Sequence, residues 1–215
     1  MERTITVQGT ATLSAKPDTV VLTLNISARS ADYAKASDES NTQAEALKTA
    51  LGQAGLDANS LKTTNLSVSA EYQTVSDEQG NFQRVFIGYL CLCTLRTDFE
   101  LDMELLGKTI TAINQSGVCP EFSLDFAVKN PAALKEALLQ KAAAEARENA
   151  LILCRASGVT LGRLIHIDYN WGERGMLSAT RCALKSDMAF SAGALNFIPE
   201  DIEFRKNVTF TWEIN

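Results

Sequence analysis

The sequence predicts an α+β fold, with a mainly antiparallel or mixed sheet, helices on one face, and the element order ββαββαβαββ. Three observations carry this reading. Long stretches alternate apolar and polar residues with period two, as half-buried strands do. Three helical stretches each close on a glycine followed by an apolar residue: Gly55-Leu56, Gly117-Val118 and Gly158-Val159. Strands also come in consecutive pairs ahead of a helix, which suits hairpins better than repeated parallel crossovers.

From Thr4 to Ser14, Ile5, Val7, Gly9, Ala11 and Leu13 alternate with threonines, Gln8 and Ser14. Ala15-Lys16 turns the chain, and Pro17 is tolerated where the next strand opens. Val20, Leu22, Leu24, Ile26 and Ala28 continue the alternation, so the pair reads as a hairpin with one buried face. A helix is expected over about 31–54, with Ser30 as its cap and Ala44, Leu47, Leu51 and Ala54 in its stripe. Leu66, Val68, Ala70 and Tyr72 share a face of the third strand, and residues 77–81 form a turn-rich loop.

The fourth strand, 82–95, breaks the alternation. Phe86, Leu90 and Leu92 occupy one face, while Val85, Ile87, Tyr89, Cys91, Cys93 and Leu95 line the other. A strand apolar on both faces must be covered on both. A second helix is expected from Asp98, as cap, to about Ser116, and a fifth strand over 122–128.

The longest helical stretch runs from Asn130 to Gly158. Asn130 can accept an orphan backbone N–H, and Pro131 suits the first helical position. Leu138, Ala142, Ala146, Ala150 and Leu153 share one face, so whatever packs there can approach closely. A sixth strand follows over 164–171 and a last one over 201–214. Between them, residues 172–200 show no clear period yet carry Met176, Leu177, Leu184, Met188, Phe190, Leu195 and Phe197. Structureless loops of this length are usually lids or binding arms. This one reads as an arm or flap on an otherwise single domain spanning 1–215.

Composition narrows the function. At 215 residues the chain can bury a real core, and its net charge of −6 argues against nucleic acid as a partner. No apolar run is long enough to span a membrane as a helix, so no membrane insertion is expected. Five cysteines (Cys91, Cys93, Cys119, Cys154, Cys182) are odd in number and irregular in spacing, unlike a disulfide framework. With no secretory signal visible, the sequence as it stands reads as cytoplasmic, or as periplasmic if a leader has been trimmed.

Order and spacing of weak motifs over nearly the whole chain resemble the SIMPL-domain family, which includes periplasmic immunogenic and oxidative-stress-defence proteins of bacteria. The resemblance rests on Gly9 in Val7-Gln8-Gly9, Pro17-Asp18, Asn41, Gly55, Thr63, Tyr72, Gly88-Tyr89, Gly117, Leu161-Gly162 and Pro199. Ala11, where the family often has a second glycine, and a missing glycine near Glu200-Asp201 are departures. The resemblance implies an α+β fold, assembly into higher oligomers and no established enzymatic activity.

Chemistry-bearing candidates are few. Cys91 and Cys93 share a strand face, but a thiolate metal site needs more ligands than this spacing supplies. His166 stands beside Asp168 on an alternating strand, without a recognisable nucleophile motif. The expectation is therefore a non-enzymatic, self-associating protein with no cofactor and no metal. Its contact surface is placed on Val85, Ile87, Tyr89 and Leu95, with Met188 and Phe190 from the arm. The alternatives are a small-molecule enzyme near His166 and Asp168, or a thiol-based metal or redox binder.

Overall fold

A computed structural model of the protein describes residues 3–57, 59–76, 82–169, 177–185 and 198–215. Its elements are β1 (Thr4–Ala15), β2 (Thr19–Ser30), α1 (Tyr33–Gln53), β3 (Lys62–Ser76), β4 (Phe82–Glu100) and α2 (Met103–Gln115). After them come β5 (Glu121–Ala127), α3 (Ala132–Ala156), β6 (Leu161–Asp168), β7 (Leu177–Lys185) and β8 (Ile202–Ile214). The fold is α+β. All ten expected elements are present, and β7 adds a strand within 172–200, which the sequence pattern marked as irregular. Met188 and Phe190 lie outside the described residues.

The chain divides into two compact units. One comprises residues 1–17, 127–179 and 200–215, and the other 18–126 and 180–199. The first holds a three-stranded sheet in the order β1-β8-β6. The second holds a five-stranded sheet in the order β3-β4-β2-β5-β7. The expected hairpin of the first two strands therefore does not form. β1 pairs antiparallel with β8, Val7 opposite Phe210, whereas β2 pairs with β4, Leu24 opposite Leu95. Alternation reports that a strand is half-buried, but not which strand it pairs with.

In the first unit α3 lies on β1 and β8. Ala142, Ala146 and Ala150 face Val7, Ala11, Phe204, Phe210 and Trp212, small side chains on the helix against large ones on the sheet. Phe210 and Trp212 stack with centroids 5.4 Å apart. Cys154 rather than Leu153 completes the buried stripe; Leu153 is exposed. The drift of a 3.6-residue helix brings position 154, four beyond Ala150, back to the buried line. The helix is one residue shorter at its start than the sequence indicated, with Pro131 at the cap position. Asn130 Oδ1 still accepts the Ala132 amide at 3.2 Å.

In the second unit Val20, Leu22, Leu24 and Ile26 of β2 pack under Leu47 and Leu51 of α1 and Leu106, Ile110 and Ile113 of α2. Fully burying each such side chain is worth about 1.5–3 kcal/mol, so this cluster dominates the unit's stability. Both helix starts lie further along the chain than expected. Asp32, not Ser30, caps α1 by accepting the Lys35 amide at 3.0 Å, and Ser30 Oγ accepts the Asp32 amide. Asp102, not Asp98, caps α2, because Asp98 still belongs to β4, opposite Val21. Two aspartates four residues apart offer the same local signal, and sheet pairing selects between them.

Candidate functional site

β2 ends at Ser30, opposite Tyr89. Beyond that point β3 and β4 continue together, with Tyr72 to Ser76 opposite Phe86 to Phe82. This makes a two-stranded arm reaching about 20 Å past the end of β2, at roughly 3.3 Å per residue. A register shift lies between Glu71 and Tyr72: Glu71 opposes Gly88, yet Tyr72 opposes Phe86, leaving Ile87 as the extra residue.

Gly88 makes this bulge possible. Its φ is 145°, and a Cβ there would sit 2.7 Å from the Ser30 carbonyl oxygen. A residue with a side chain fits neither the backbone nor the space.

The bulge reverses the side-chain alternation of β4. Phe86, expected on the face opposite Tyr89, comes to lie beside it, with ring centroids 5.2 Å apart. Tyr72 meets Phe86 at 5.8 Å and Tyr33, the first residue of α1, meets Tyr89 at 5.6 Å, all edge to face. The Arg84 guanidinium stands 5.0 Å from the Tyr72 ring centroid, a cation–π contact. Tyr33, Tyr72 and Phe86 nonetheless remain at least 43% exposed, as do Val85 and Ile87. Exposed aromatic side chains grouped in this way make the arm the candidate interaction surface.

Of the expected contact residues, Val85 and Ile87 are exposed on the same arm, Val85 on the face away from Phe86 and Tyr72, and Tyr89 is half-buried at the inner end of the aromatic group. Leu95 does not belong to it. It is 3% exposed, within the core beneath α1 and α2. The proximal half of β4 is thus covered by the chain's own helices, and the need for an outside cover is confined to the distal half. Tyr33, Phe86 and Arg84 were not singled out from the sequence; an i, i+3 aromatic pair on a strand with an intervening glycine was the available signal.

The other motif residues have varied settings. A Cβ on Gly9 would fall on the Ala142 carbonyl oxygen of α3, so Gly9 permits the close approach of that helix. Pro17 is buried, and the Asp18 carbonyl accepts the Leu101 amide at 2.8 Å. Gly55 and Gly117 follow α1 and α2 with positive φ, and Gly162 of β6 lies against Glu213 of β8. Thr63 lies at a second register shift of β3, Pro199 lies ahead of β8 with Glu200 and Asp201 between them, and Asn41 is exposed on α1.

His166 and Asp168 are exposed on β6, opposite Thr211 and Thr209 on the polar face of that sheet. Cys91, Cys93 and Cys154 are buried and Cys119 is exposed, all as free thiols; the Cys182 side chain lies outside the described residues. Burial pushes the Cys93 thiol above its ordinary pKa, and the neighbouring Cys91 adds to the shift. The Ser40 hydroxyl opposes it from close by, yet makes no hydrogen bond of ordinary geometry. A thiol held in its neutral form is a poor metal ligand and nucleophile. Among the described residues no group of three or more His, Cys, Asp or Glu side chains is placed to hold a metal.

An open groove of about 1010 Å³ runs between α1 and α2 over Ala46, Ala50, Ala54, Gly107 and Ala112. Its one rim cation, Lys108, is engaged by Glu104 at 2.7 Å, which raises the ammonium pKa. Small residues floor the groove, and Glu45, Thr49, Gln53, Thr111 and Gln115 also line it.

These features define an α+β chain whose exposed aromatic arm is its candidate functional surface. The chain belongs to the SIMPL family, described as a protein of unknown function (DUF541), whose pattern matches residues 5–212. It is similar to the 26 kDa periplasmic immunogenic proteins of Brucella melitensis and Brucella abortus, 25% identical over 163 residues in each case. That match spans 76% of this chain and 65% of each of those proteins. The uncharacterized protein YggE of Edwardsiella ictaluri is 23% identical over 166 residues, 77% of this chain and 67% of that protein.

Proposed function

We propose that this is a non-enzymatic, self-associating SIMPL-domain protein of the bacterial periplasm, with a role in envelope or stress physiology. The observation that carries the reading is the arm of β3 and β4. Its described strands from Asn65 to Ser76 and Phe82 to Leu92 hold only two charged residues, Glu71 and Arg84. Both are engaged: Glu71 pairs with Arg29 at 2.9 Å, and Arg84 stands over Tyr72. Exposed tyrosine, phenylalanine and arginine with little free charge is the composition of protein contact surfaces, where such side chains supply most of the affinity. An anionic lipid surface would instead call for clustered lysine and arginine. The names of the Brucella relatives favour the periplasm over the cytoplasm.

Sedimentation equilibrium at micromolar concentration tests the assembly, with a mass well above 23.3 kDa expected. The double variant Tyr72→Ser/Phe86→Ser should raise the dissociation constant by roughly a thousandfold, since truncated hot-spot aromatics cost about 2 kcal/mol or more each. Its circular dichroism should stay that of the parent. A strictly monomeric parent would end the proposal. Osmotic-shock fractionation of the native host should release the protein with periplasmic markers; retention with the cytosol would end the periplasmic part.

A further inference from the structure

β3 is an outer strand of the five-stranded sheet, and among the described residues no hydrogen bond reaches its outer backbone groups between Asn65 and Glu71. An edge this long is ordinarily blunted by lysine, proline or a covering segment. Here Thr63 to Ala70 contains neither a charge nor a proline, and these residues are exposed apart from the half-buried Val68. Register shifts lie between Thr63 and Asn65 and between Glu71 and Tyr72, so the regular stretch is the seven residues Asn65–Glu71, centred on Val68.

We propose that this stretch pairs antiparallel with the same stretch of a second copy, joining two five-stranded sheets into one. The inference rests on the self-association reading and adds its geometry. A two-fold axis relating identical antiparallel strands passes between a residue and its own copy, so residues of one face always meet residues of the same face. The axis that pairs the whole regular stretch passes between the two Val68 residues. Leu66 then faces Ala70 of the second copy, Ser67 faces Ser69, and Asn65 faces Glu71. Leu66, 54% exposed in the single chain, gains an apolar neighbour on the face where Val68 packs against Ala28, Ala36 and Cys91. Backbone groups supply the affinity and the register shifts at each end set the limits, as in strand addition to a sheet edge.

Ser67 and Ser69 are exposed, so their substitution leaves the core intact. In Ser67→Lys/Ser69→Lys two pairs of lysines face each other across the axis, and the dissociation constant should rise roughly tenfold. In Ser67→Lys/Ser69→Glu each lysine faces a glutamate of the other copy, and association should return to the parental level. Sedimentation of all three proteins, with circular dichroism as the folding control, gives the answer. A double-lysine variant that associates like the parent overturns edge pairing while leaving self-association standing. A lysine–glutamate variant as weak as the double-lysine one overturns this register. A monomeric parent overturns the self-association reading itself and this inference with it.

Discussion

β1 and β3 are both outer strands of their sheets, yet their free edges are treated differently. Along β1, α3 supplies side chains to the outward backbone: the Glu145 carboxylate accepts the Thr10 amide, and the Lys141 ammonium donates to the Thr12 carbonyl at 3.3 Å. Gly9 lets the helix come close enough for this, with Ala142 directly above it. Along β3 between Asn65 and Glu71, no described side chain does the same. An edge satisfied within the chain is closed to partners; an edge left open is either an aggregation hazard or an interface.

The largest effect should come from removing the close approach on the β1 side. Gly9→Val forces a side chain into the Ala142 backbone, and overpacking of this kind costs about 1–3 kcal/mol or more. The chain should lose several degrees in melting temperature, read by calorimetry, and the β1 edge should open to aggregation. A variant as stable as the parent would show that α3 does not press on β1 as described.

Next in size is Glu145→Ala, which leaves the Thr10 amide without its acceptor. An unsatisfied, partly buried donor costs about 1–3 kcal/mol, and Glu145→Gln should recover part of it through its amide oxygen. Hydrogen exchange at Thr10 should accelerate in the alanine variant and much less in the glutamine one. Equal exchange in both would mean the carboxylate is not the group that closes the edge.

The smallest effect concerns the root of the arm, where Cys93 lies next to the open strand, opposite Leu66. Its thiol pKa is raised in the folded chain by burial, so folding favours the protonated form. The stabilisation is full below the unfolded thiol value of about 8.5 and is lost as pH rises from there through the folded value. Denaturant titrations should therefore show stability declining above that pH, and Cys93→Ala should flatten the decline even if it lowers stability throughout. A decline of unchanged slope in the variant would assign it to other groups.

Several parts of the molecule were legible in the residues because they depend on local physics. The helix ends at Gly55, Gly117 and Gly158 are set by one residue type each, and the φ values of 105°, 75° and 70° agree. The alanine stripe of α3 required only helical spacing, and its buried members are Ala142, Ala146 and Ala150 as expected. The candidate surface was half legible. Excess apolarity on β4 pointed to a missing cover, and Val85 and Ile87 are indeed exposed. Leu95 was misplaced because period-two counting treats the strand as uniform, whereas only its proximal half lies under α1 and α2.

By itself, then, the sequence determined every strand and helix except β7, where the helices stop, and that the fourth strand carries more apolar surface than one sheet face can hide. Pairing was decided by the tertiary structure. β1 joined β8 rather than β2 because two half-buried strands present the same alternation to any partner, and only the packing of α3 and the core of β2 with β4 discriminates. The register of the arm was decided there too. A bulge at Gly88 shifts every side chain beyond it by one face, which brought Phe86 to Tyr89. Strand order likewise left β3 outermost, and that position turns an unremarkable run of small and apolar residues into an open edge.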